Sequence, residues 1–152
     1  MNHPIIRSVK EQDIVQLIDL CALHAKYEDA EYSKKGKALK LGDALFKENP
    51  FIFCFVAELN NEIVGYTTIT KEFSTWDADY FLHMDCLYIL ERSRGLGLGS
   101  LFVEAIKQFS IDASCTHIQW QTPIDNSSAI GFYTNLGAIS KNKKRFYLKH
   151  DV

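Results

Sequence analysis

Apolar and polar positions alternate along this chain in two distinct periods. Ile5 to Val9 is a short apolar run with strand character. Ile14, Leu17, Ile18, Cys21, Ala22 and Ala25 then recur at i, i+3, i+4, i+7, i+8 and i+11. That spacing lines one face of an amphipathic helix. A polar stretch, Tyr27 to Gly36, separates it from a second predicted helix over Lys37 to Phe46, which stops before Pro50. Phe51 to Leu59 and Ile63 to Phe73 are rich in aromatic and β-branched residues, and Asn60-Asn61 between them is a tight-turn pair. The three segments predict a β-hairpin. A third long strand is expected over Asp79 to Ile89.

The second half reads as strand, helix, strand, helix, strand. Leu98, Leu101, Phe102, Ala105, Ile106 and Phe109 keep helical spacing, and His117 to Thr122 forms a strand ending at Pro123. Ala129, Phe132, Tyr133 and Leu136 mark a short helix, with Gly137 as its C-terminal cap. Arg145 to Lys149 predicts a final strand. The pattern gives an α+β domain: a largely antiparallel sheet of six to seven strands with about four helices on its faces. No repeat, linker or low-complexity segment interrupts it, so residues 1–152 are expected to form a single domain.

Composition agrees with a globular chain and narrows its partners. Seventeen Lys and Arg against nineteen Asp and Glu leave a formal charge of −2, which gives no electrostatic case for nucleic acid or an anionic membrane. The longest apolar run, Phe51 to Ala57, is far shorter than the roughly 20 residues of a membrane-spanning helix. No charged segment followed by an apolar signal core opens the chain. Cys21, Cys54, Cys86 and Cys115 are widely spaced and do not cluster with the five histidines. We therefore expect no metal site, a cytoplasmic location and cysteines that pack as small hydrophobes.

The chemistry concentrates in Arg94-Gly95-Leu96-Gly97-Leu98-Gly99-Ser100, a glycine-rich loop between a strand and a helix. Glycines there let backbone N–H groups approach an anion, the helix N-terminus adds partial positive charge, and Arg94 adds a full one. Three glycines at alternate positions beside an arginine favour phosphate binding over a plain tight turn that needs positive φ. A Walker loop is excluded because no lysine is present, and the glycine spacing fails the dinucleotide fingerprint. What fits is Arg-x-x-Gly-x-Gly, which resembles the pyrophosphate loop of the GNAT superfamily of acyl-CoA-dependent N-acyltransferases. Asn126-Ser127-Ser128-Ala129-Ile130-Gly131-Phe132-Tyr133, ending in Leu136-Gly137-Ala138, is similar to that superfamily's second signature. His24-Ala25-Lys26-Tyr27-Glu28, Asn49-Pro50-Phe51, Val56-Ala57-Glu58 and Trp76 extend the resemblance to the spermidine/spermine (diamine) acetyltransferase branch.

The resemblance implies acetyl transfer from acetyl-CoA to a small-molecule amine by direct attack, by a homodimer. A lysine-like amine has a pKa of about 10.4, so the site must remove a proton before attack. Tyr133 occupies the position of the family's general acid, and Asp85 stands where the diamine branch places its catalytic glutamate. His83 is the rival base, since an imidazole titrates near neutrality. Strand alternation predicts His83, Asp85 and Leu87 on one face. Backbone groups of Leu87 and Ile89 are expected to pair with the pantetheine arm, where an N–H would form the oxyanion hole. Arg94, Gly95, Leu96, Gly97, Leu98, Gly99 and Ser100 would hold the pyrophosphate, and Asn126 would both cap its helix and bind the pantetheine. Cys86, which replaces a second acidic residue of the diamine branch, is read as packing and not as an acetyl carrier. Tyr27, Glu28, Trp76 and Asp85 are the candidate substrate residues, with Asp29, Glu31, Asp77 and Asp79 adding negative charge nearby. A polyamine or diamine is the first expectation. Aminoglycosides, protein or peptide amines, and a non-catalytic CoA sensor of the same fold are the alternatives.

Overall fold

The structure, a computed structural model, describes residues 2–151. The chain divides into two compact units, the first ending at Trp120 and the second beginning at Gln121. The first unit contains β1 (Ile5–Ser8), α1 (Ile14–Tyr27), α2 (Lys37–Phe46), β2 (Ile52–Leu59), β3 (Glu62–Ser74), β4 (Asp79–Ile89), α3 (Leu98–Asp112) and β5 (Ile118–Gln119). The second contains α4 (Ser127–Asn135).

The five strands form one sheet in the order β1-β2-β3-β4-β5. The first three pairings are antiparallel and the last is parallel. The β2–β3 hairpin turns on Asn60 and Asn61, at φ 54° and 63°, and Leu59 faces Glu62 across it. Two successive left-handed residues make the type I′ geometry that matches strand twist, and asparagine tolerates it better than most residues.

Each face of the sheet is sealed by helices. Leu17, Ile18 and Leu20 of α1 and Leu45 of α2 pack with Cys54, Val56, Tyr66 and Tyr88. On the other face Leu98 and Phe102 of α3 bury against Ala57 and Val64, with Leu87 and Ile89 beside them. The Phe53 and Phe55 rings lie 4.7 and 5.9 Å from Phe109. The helical period seen in the sequence is thus the imprint of burial on one stripe of each helix.

The entry to α1 is held by charge. The Arg7 guanidinium grips Asp13 through two hydrogen bonds of 2.7 and 3.0 Å and donates to Glu58 at 2.6 Å. Asp13 also accepts from the Lys10 backbone N–H at 2.7 Å. Hydrogen bonding to Arg7 holds the Asp13 carboxyl below its ordinary pKa.

Two expectations are corrected. The strand expected over His117 to Thr122 is only Ile118–Gln119, because β4 offers it partners at Leu82 and His83 alone. No strand forms over residues 145–149, where Phe146 and Leu148 are 88% and 92% exposed. An alternating sequence becomes a strand only where a neighbour satisfies its backbone groups. The sheet therefore has five strands among the described residues, not six or seven.

Candidate functional site

The site grows from an irregularity in β4. Across the β3–β4 ladder Thr68 pairs with Cys86 and Ile69 pairs with Met84, which leaves Asp85 as the extra residue of a β-bulge. A bulge re-aims side chains and breaks the alternation of faces. Register places His83 opposite Thr70 and Leu87 opposite Thr67, on opposite faces of the sheet. The expectation of His83, Asp85 and Leu87 on one face is therefore corrected, since one inserted residue reverses the parity beyond it. Asp85 itself is exposed, and the Cys86 thiol donates to its Oδ2 at 3.6 Å.

The same strand presents a free edge. The Cys86 carbonyl turns toward β3, where it accepts the Thr67 hydroxyl at 2.8 Å. Neighbouring peptide groups point to opposite edges, so those of Leu87 face away from β3. Beyond His83 no described strand pairs with that edge. The Ile89 carbonyl accepts Arg94 Nε at 3.0 Å.

The glycine loop follows directly. Gly95 and Gly97 both take φ 78°, a left-handed conformation that favours glycine, and Gly97 is the N-cap of α3. The first N–H groups of a helix have no intrahelical partner, and here those of Leu98, Gly99 and Ser100 lie in the first turn. A Cβ added at Gly95 or Gly97 would meet nothing within 4 Å, so the space over the loop is open. Donors, dipole and room together suit a pyrophosphate. The Arg94 side chain, expected at the phosphates, instead lies 4.7 Å from the Tyr27 ring and 5.6 Å from the Tyr88 ring.

Around Arg94 and Tyr27 stand His24, Tyr66 and Tyr88, which the sequence did not single out by role. His24 of α1 stacks on Tyr88 at 5.0 Å, lies 2.7 Å from the Tyr66 hydroxyl and 3.4 Å from Glu28. Tyr27 lies 6.3 Å from Tyr88. Helix-period and strand-period positions meet here only because α1 crosses β3 and β4, so no local pattern could have joined them. Trp76 is elsewhere. It is 98% exposed at the turn joining β3 to β4. Asp85 lies six residues beyond the Asp79 end of that turn, roughly 20 Å along the strand. The structure brings Tyr27 and Glu28 to the far end of β4 but does not bring Trp76 to Asp85.

Burial pushes the Cys86 thiol up to about 12, with the Asp85 charge adding to the effect. Burial likewise raises Cys21, Cys54 and the Tyr66 hydroxyl. A nucleophilic cysteine needs its thiolate, so Cys86 is poised to donate a hydrogen bond and not to carry an acyl group. No group of three or more His, Cys, Asp or Glu able to hold a metal occurs among the described residues.

In the second unit, the Asn126 side chain accepts the Ala129 N–H at 3.2 Å and caps α4. Tyr133 is half-buried, with its ring 5.3 Å from Phe132. Gly137, at φ 89°, closes the helix. Its N–H donates to the Thr134 carbonyl at 3.0 Å and that of Ala138 to Tyr133 at 3.1 Å, a Schellman motif.

β4 thus carries a bulge and a free edge and runs into a left-handed glycine loop and a helix N-terminus. Residues 17–138 match the acetyltransferase (GNAT) family, and the chain belongs to that family as an acetyltransferase enzyme. The thialysine N-ε-acetyltransferase of Sus scrofa is 27% identical over 151 residues, spanning 91% of this chain and 85% of its own. Spermidine/spermine N(1)-acetyltransferase-like protein 1 of Homo sapiens is 26% identical over 146 residues, spanning 91% of this chain and 21% of that longer protein. An aminoglycoside N-acetyltransferase solved in complex with CoA superposes with a TM-score of 0.84 at 14% identity, covering 99% of this chain and 97% of its own. That last likeness is one of fold. Among the described residues no helix is long and apolar enough to cross a membrane.

Proposed function

We propose that this enzyme moves the acetyl group of acetyl-CoA to a primary amine of a small polyamine- or diamine-like molecule. The observation that carries the reading is the bulge that leaves Asp85 unpaired and exposed beside the free edge of β4. The names of the relatives, a thialysine acetyltransferase and a spermidine/spermine acetyltransferase-like protein, support an amine with a second charged group. A family match that runs across the Trp120–Gln121 boundary supports reading residues 1–152 as one functional domain. We further propose a cytoplasmic homodimer.

Acetyl-CoA supplies an activated thioester. The N–H groups of Gly95 to Ser100 hold its pyrophosphate, and the outward peptide groups of Leu87 and Ile89 hold the pantetheine, with Asn126 contributing from α4. Asp85 accepts the proton that keeps the amine cationic, directly or through a water. A β4 backbone N–H stabilises the carbonyl oxygen as it gains charge. Tyr133 gives its phenolic proton to the departing sulfur. Tyr27 and Glu28 receive the distal ammonium by cation–π contact and by charge.

The test is release of free thiol from acetyl-CoA against spermidine, putrescine, thialysine, an aminoglycoside and a lysine peptide. Turnover confined to the flexible diamines is the expected result. Turnover with the aminoglycoside or the peptide alone would overturn the acceptor class, and tight CoA binding without turnover would overturn the reaction.

A further inference from the structure

His24 joins the two halves of the proposed site. Its side chain is 14% exposed and Nε2 lies 3.4 Å from Glu28 Oε1. Nδ1 lies 2.7 Å from the Tyr66 hydroxyl. The ring stacks on Tyr88 at 16° and meets Tyr66 edge-on at 5.8 Å. Tyr66 is 2% exposed in the middle of β3, and burial raises its pKa so that it stays a phenol. A phenol can donate to Nδ1, which then acts as the acceptor. With that donation the proton of a neutral imidazole sits on Nε2, 3.4 Å from the Glu28 carboxylate.

On the other side, the Tyr88 ring that His24 stacks upon lies 5.6 Å from the Arg94 guanidinium, next to the Ile89 carbonyl that Arg94 occupies. We infer that His24 is a positioning residue for the amine: it holds Glu28, and the last turn of α1 with it, in register with the Tyr88–Ile89 end of β4. A glutamate at an exposed helix end is otherwise free among several rotamers, and ordering it on binding would weaken the complex. The inference rests on Glu28 being part of the amine site.

His24→Phe keeps the stacked ring and removes both polar contacts. The KM for the amine rises about tenfold, while kcat and the KM for acetyl-CoA stay within about twofold, the signature of lost ground-state binding. His24→Gln, whose amide N–H can reach Glu28, restores most of the amine KM. Tyr66→Phe, which deletes the donor to Nδ1 and keeps the ring, shifts the amine KM in the same direction and stands in should His24→Phe fail to fold. Glu28→Gln separates the two readings. If Glu28→Gln raises the amine KM and neither His24→Phe nor Tyr66→Phe does, the positioning role is overturned and the amine site stands. If Glu28→Gln changes nothing, the amine site itself is misplaced.

Discussion

The Thr67 hydroxyl donates to the Cys86 carbonyl at 2.8 Å, from wholly inside the protein, immediately beside the unpaired Asp85. A bulge costs ladder hydrogen bonds, and this side-chain donor adds a bond beside it. Thr67→Val keeps the shape and removes the donor. It lowers stability by about 1 kcal/mol, the net worth of such a bond. Because the bulge sets Asp85, kcat falls more than KM changes. Urea unfolding beside steady-state kinetics checks both, and an unchanged kcat would detach the bond from the site.

Asp85→Asn and Tyr133→Phe each lower kcat by roughly 10²–10⁴-fold, the usual contribution of a placed acid or base. Calorimetric affinity for CoA stays within about threefold, since neither substitution removes a ground-state contact with the pyrophosphate. Full turnover in either variant would reassign that role, with His83 next in line as base.

Gly65 has no room for a side chain. A Cβ there would lie 2.9 Å from the Tyr88 backbone oxygen and 3.2 Å from the Phe102 ring. The backbone must yield, so Gly65→Ala separates β3 from β4 at the head of the free edge. Overpacking of this kind costs about 1–3 kcal/mol. We expect a lower melting temperature and a raised KM for acetyl-CoA, both measurable on one preparation.

Gly97 and Gly36 offer a matched pair. Both cap helices at positive φ, 78° and 71°, with open space where a Cβ would stand. Alanine at either position carries the left-handed penalty of about 1–2 kcal/mol. Only Gly97→Ala is expected to raise the KM for acetyl-CoA, because the proposed function puts only that loop at the phosphates. Equal effects on KM from the two variants would remove the phosphate assignment.

The Asp13 carboxyl, held low by Arg7, contributes stability that is full above its unfolded pKa near 3.9 and is lost as pH falls through the lower folded value. Asp13→Asn breaks a pair whose carboxylate is 4% exposed. It lowers stability at pH 7 by about 2 kcal/mol, by removing two charge-assisted hydrogen bonds and leaving Arg7 to Glu58 alone. The difference from wild type begins to shrink as pH drops below about 4 and is gone only below the lower folded value, where both proteins lack the charge. Denaturation midpoints at pH 7, 4 and 3 test the slope.

Helices over 14–27, 37–46 and 98–112, the Asn60-Asn61 turn and the Gly137 cap were all legible in the sequence, because local spacing and local φ requirements write themselves into residue type. So was the turn at 94–100, whose glycines at 95 and 97 take the left-handed conformation. The strand at 145–149 misled for the converse reason: alternation records a capacity to pair, while pairing needs a neighbour. The bulge at Asp85 was invisible because register belongs to two strands at once, and one extra residue in β4 means nothing until β3 lies beside it. His24, Tyr66 and Tyr88 come from three elements and meet only where α1 crosses the sheet. Sequence alone determined the helices, the long strands, the glycine loop and the family, each of which rests on residues close along the chain. Tertiary structure alone decided that Asp85 stands in a bulge, where Arg94 rests and that His24 lies between Tyr66 and Glu28, because each depends on contacts between segments that no local pattern encodes.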